Sequence, residues 1–95
     1  MIRFETLRPY GPCWAQPSGQ EVREILAEAN LIAEEAAAIV GVSHGRTVRK
    51  WMAYDAQKAL EAKKLKKKIN IQKIPYASWA ILAYLAGYGC IWEKN

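Results

Sequence analysis

Three cations fall within five positions, Arg46, Arg49 and Lys50, with Thr47 among them and no acid anywhere in residues 36–54. If this stretch is helical, those cations share one face while Val48, Trp51 and Met52 take the other. A guanidinium forks onto guanine or clamps a phosphate, so Arg46 and Arg49 are candidate base readers. Lys50 suits phosphate as a point charge, and Thr47 suits a thymine methyl or a phosphate. His44, just ahead, reads first as a surface turn residue and second as one more DNA contact. Trp51 reads as core rather than as a base reader.

A second set of cations follows: Lys63, Lys64, Lys66, Lys67 and Lys68. Alone, such a run is a solvated face. Beside a basic helix it becomes a candidate phosphate contact. The whole chain has 95 residues and a net charge of +5, but the distribution says more than the total. Residues 1–35 carry three Arg against six Glu, residues 36–54 only cations, and residues 55–73 seven Lys against Asp55 and Glu61. A basic middle beside an acidic front suits one face meeting a polyanion, with a lysine-rich surface made for solubility as the plain alternative.

Other chemistries lack material. The single histidine and two cysteines, Cys13 and Cys90, make neither a metal site nor a disulfide framework. No Ser/His/Asp set, paired metal ligands or P-loop is present, so the chain is not expected to be an enzyme and no cofactor or small-molecule ligand is expected. A reducing compartment, and so a cytoplasmic location, is the expectation from the cysteines and from the lack of a signal-like apolar run in the first 20 residues. The uncharged stretch Ile74 to Trp92 contains Pro75, Ser78, Gly87 and Gly89, which favours a buried helix over a membrane span.

The elements that must position these residues are legible in outline. With 52% hydrophobic residues, the chain has enough apolar material for one small core. Residues 1–17 hold Pro9, Pro12, Pro17 and Gly11 with Phe4, Leu7, Tyr10 and Trp14, a pattern for an irregular arm packed on that core. Ser18 and Glu21 form a capping box ahead of Val22, Ile25, Leu26 and Ala29, which predicts a helix ending near Asn30. A second helix is expected over residues 33–40, with Glu34 and Glu35 in its first turn. Gly41 then makes the turn, and Ser43 is the expected cap of the basic helix. Residues 53–73 form a basic connector, helical or looped. Pro75 is expected as the first residue of a last helix, apolar nearly all round, whose surplus surface a second copy would cover.

Two short helices joined by a glycine turn, the second one basic, is the helix-turn-helix arrangement. Here AAAIVGVSHGRTVRKWM, read with the Pro-initiated IPYASWAILAYLAG, resembles small phage, plasmid and bacterial regulators of the lambda-repressor-like, Xre/Cro type. The resemblance covers about half the chain. Ile32 stands where those proteins have a Thr or Ser cap, SHG adds one residue to the turn, and the connector is longer than usual.

The expectation is therefore an all-α helix-turn-helix domain of four to five helices over residues 1–95, with an arm (1–17), helical core (18–52), basic connector (53–73) and C-terminal apolar segment (74–95). It would bind double-stranded DNA as a homodimeric repressor, with Trp79, Leu82 and Tyr84 at the dimer interface and Ile81 and Leu85 inward. The resemblance implies a phage or mobile-element source. The competing reading is a protein-interaction or assembly module, such as a phage packaging or anti-defence subunit.

Overall fold

Described over residues 1–93, the computed structural model is all-helical, with five α-helices and no strand among the described residues. Lys94 and Asn95, which end the expected C-terminal segment, lie outside the described residues. Helix α1 (Gly19–Glu28) opens on the capping box: the Glu21 N–H donates to Ser18 Oγ at 3.2 Å, and the Ser18 N–H donates to Glu21 Oε1 at 2.9 Å. It stops where Asn30 turns left-handed (φ 57°), letting the Leu31 N–H reach the Leu26 carbonyl at 2.9 Å.

Helix α2 (Ala33–Val40) has the predicted bounds. The Ile32 side chain cannot accept a hydrogen bond, so only half a capping box forms, the Ile32 N–H donating to Glu35 Oε1 at 3.0 Å. Gly41 ends the helix at φ 84°. A methyl group there would meet open space, so conformation and not room requires glycine. Helix α3 (Gly45–Met52) begins one residue later than expected, because His44 is still extended and takes the cap position in place of Ser43.

The connector resolves into helix and loop. Asp55 caps α4 (Ala56–Lys64), its Oδ1 accepting from the Gln57 and Lys58 N–H groups at 2.9 and 3.0 Å. Lys66 then turns left-handed (φ 54°) and an irregular stretch runs to Ile74. Pro75 is the cap of α5 (Tyr76–Ala83) rather than its first residue. The helix then widens at Tyr84–Tyr88, where Gly87 has φ 100°.

The core gathers Val22, Ile25 and Leu26 of α1, Val48 and Trp51 of α3, and Ile74, Trp79 and Leu82 from the last segment, all buried. The arm is stitched to this core through its backbone. Buried Thr6 offers its carbonyl to two indoles, and both Trp14 Nε1 and Trp79 Nε1 donate to it at 2.8 Å. Tyr76 donates its hydroxyl to the Arg8 carbonyl at 3.0 Å. Arg3 meets Glu21 at the head of α1, with Nη2 2.8 Å from Oε1. Burial alone would raise the Glu21 pKa, but hydrogen bonds from the Arg3 side chain and from the Ser18 and Arg3 backbones outweigh it and hold the pKa near 2.

Two backbone bonds join distant segments beside α3. The Gly19 N–H donates to the Tyr54 carbonyl at 2.9 Å, and the Gln72 N–H to the Lys50 carbonyl at 3.1 Å. The first forces glycine at position 19, since a methyl group would lie 2.3 Å from the Met52 carbonyl oxygen.

Candidate nucleic-acid interface

Small residues let α2 and α3 cross closely: Ala36 and Ala37 are buried, and Val48 of α3 is fully enclosed. The Gly41 and Val42 N–H groups both donate to the Ala37 carbonyl at 3.0 Å, fixing the turn. With Val48 and Trp51 committed to the core and Met52 packed beside them, the polar side chains of α3 are turned outward. His44, Arg46 and Arg49 are exposed, while Thr47 and Lys50 are half-buried. Arg49 and Lys50 stand in the last turn, where cations complement the helix dipole. All five residues named on sequence grounds thus come together on one short helix and its cap.

The lysine set lies elsewhere. Lys63 and Lys64 end α4, and Lys66, Lys67 and Lys68 follow it; all five are exposed. None is in an ion pair among the described residues. The Gln72–Lys50 backbone bond brings the end of this basic stretch, with Lys73, back to the C-terminal turn of α3.

The third set is corrected in part. Trp79 and Leu82 are wholly buried in the protein's own core and offer no surface to a second copy. Trp79 is turned inward by its bond to the Thr6 carbonyl. Tyr84 is exposed, and so are Ile81 and Leu85, which had been expected inward. The Tyr84 ring lies 6.3 Å from that of Trp92, which is also exposed. An apolar face therefore remains on this segment, carried by Tyr84, as expected, together with Ile81, Leu85 and Trp92 in place of Trp79 and Leu82.

One participant is new. Glu34 Oε2 lies 2.5 Å from Arg49 Nη1, so an acid of α2 holds a cation of α3. Sequence patterning placed Glu34 only as a helix-start acid, because a partner 15 positions away on another element leaves no local signal. Among the described residues, no group of three or more His, Cys, Asp or Glu is placed to hold a metal, and no helix is long and apolar enough to cross a membrane.

No family model matches the chain. Two curated Escherichia coli proteins, each named transcriptional repressor protein KorC, are similar along nearly its whole length. One is 43% identical over 94 residues, covering 97% of this chain and 91% of the relative. The other is 40% identical over 95 residues, covering 98% and 92%.

Proposed function

The chain belongs to the KorC family of transcriptional repressors, and from that premise we propose that it represses transcription by seating α3 in the major groove of a specific duplex site. The observation that carries this reading is the outer side of α3, where His44, Arg46 and Arg49 stand exposed on a helix whose other side is locked in the core. Arg46 and Arg49 take base edges, Thr47 and His44 flank them, and Lys50 takes phosphate. The pairing of α2 with α3 is of the lambda-repressor-like kind, and residues 1–95 act as one helix-turn-helix domain in the cytoplasm. Lys63, Lys64, Lys66, Lys67 and Lys68 extend the phosphate contact beyond the groove.

The active form is a homodimer. Ile81, Tyr84, Leu85 and Trp92 leave an apolar face open on the C-terminal segment, and such faces on soluble proteins are commonly covered by partners. A two-fold axis there sets two copies of α3 about 34 Å apart, one turn of duplex. Repression follows by occupancy of a promoter.

Selection from random duplex DNA at about 150 mM salt, with sedimentation of the free protein, tests this. The expected result is an enriched site with two half-sites about one turn apart, bound by a dimer. Failure to enrich any sequence overturns the recognition role of α3. A monomer both free and on DNA overturns the dimer.

A further inference from the structure

Arg49 is the one cation of α3 that an acid holds among the described residues. Its partner Glu34 stands in the first turn of α2, and both side chains are 58% exposed. An exposed pair of long side chains gains little by itself, since solvent screens it and ordering opposes it. A second contact explains why this carboxylate stays in place. It rests against Gly45, the first residue of α3, where a methyl group would lie 2.1 Å from Oε2 and 2.8 Å from the carboxyl carbon. Gly45 is not among the glycines with positive φ, so its backbone does not require glycine. The missing side chain makes room for the acid. There the acid also meets the positive end of the α3 dipole.

An acid placed beside a surface that meets phosphates works against affinity. Its position has to serve something else. Resting on the reading that α3 contacts bases, we infer that Glu34 is a positioning residue for specificity. It holds Nη1 of Arg49 and leaves Nε and Nη2 to meet one base in one orientation. The same negative charge keeps Arg49 from settling on phosphate in non-specific complexes, and Gly45 provides the seat.

The test uses Glu34→Ala and Gly45→Ala, each alone and in the Arg49→Ala background. Binding is measured to the selected site, to its single-base variants and to random duplex over a range of salt. Either substitution is expected to lower the ratio of specific to random affinity about tenfold and to flatten base preference at the one position Arg49 reads. Glu34→Ala also steepens the salt dependence of random binding by about one unit, because a freed guanidinium finds phosphate. In the Arg49→Ala background neither substitution changes base preference further. Gly45→Ala keeps the Glu34 charge and installs a better helix former, so lost preference with an undiminished thermal midpoint separates positioning from folding.

Preference loss that persists in full in the Arg49→Ala background overturns the inference. So does a parallel change in specific and random binding. If Arg49→Ala leaves affinity for the selected site unchanged, the base-reading role of Arg49 falls together with this inference. If Arg49→Ala weakens that site while Glu34→Ala leaves preference intact, the inference alone falls.

Discussion

Residues 1–17 contain three prolines and make almost no regular structure, yet the Trp79 indole and the Tyr76 hydroxyl of α5 reach into their backbone carbonyls and Arg3 grips the head of α1. Helix α4 is the opposite case. It has a good cap and regular hydrogen bonding, but buries only Ala62, while Leu60 and, just beyond it, Leu65 and Ile69 face solvent. A segment is held in place by what it buries and what its polar groups meet outside itself; internal regularity does not do it. The charges divide the same way. Glu21, Glu24, Glu28 and Glu35 of the front half are bonded within the frame, whereas Lys63, Lys64, Lys66, Lys67 and Lys68 are in no ion pair among the described residues.

The largest break in that contrast comes from Trp79→Ala, which empties a fully buried site and strips one donor from the Thr6 carbonyl. It is expected to cost about 3–5 kcal/mol in urea unfolding. Leu60→Ala on α4, by comparison, stays within about 0.5 kcal/mol. Equal effects of the two would erase the distinction between the regions.

Acid should loosen the arm side by a smaller amount. Glu21 has a folded pKa near 2 against 4.5 for the free side chain, so on acidification the unfolded chain takes up the proton first. The stabilisation is complete above about pH 5 and is lost as pH falls toward 2, amounting to about 2–3 kcal/mol with Arg3 half exposed. Urea midpoints at pH 7 and pH 3 measure it, and Glu21→Gln should remove most of the difference.

On the other side of the comparison, Arg46→Ala is expected to cost about 1–3 kcal/mol in binding to a selected site. Its unfolding midpoint should stay where it is, because the side chain is exposed. Neutralising Lys64, Lys67 and Lys68 together should have the least effect on the fold, within about 0.5 kcal/mol. It should nevertheless flatten the slope of log K against log salt by roughly 2–3 units for every sequence alike. An unchanged slope would mark these lysines as a solvated face.

Local signals carried well from sequence to fold. Ser18 with Glu21, the alanine-rich 33–40 helix and the Gly41 turn depend on neighbours within a few positions, and each appears where it was read. Contacts between distant segments were not legible. Nothing near Arg3 announces Glu21, and nothing near Glu34 announces Arg49. The inward side of α5 was misread for a related reason: with apolar residues all round, periodicity cannot tell Trp79 and Leu82 from Ile81 and Leu85. The decision came from Thr6, 73 positions earlier. The candidate site on α3 was legible because Val48 and Trp51 face the core and leave its cations only one direction.

The two backbone bonds beside α3, Gly19 to Tyr54 and Gln72 to Lys50, have a polymer consequence. They pin the chain just before and just after the basic stretch, so α4 and its lysines form a loop whose ends are already closed by the frame. The entropy of such closure grows only with the logarithm of length, about 0.6 kcal/mol for each doubling. Insertions or deletions between residues 56 and 71 therefore alter how far the lysines extend at little expense to the fold. Reach is an independently adjustable quantity in this architecture, and a tag or spacer placed there should leave α1, α2 and α3 undisturbed.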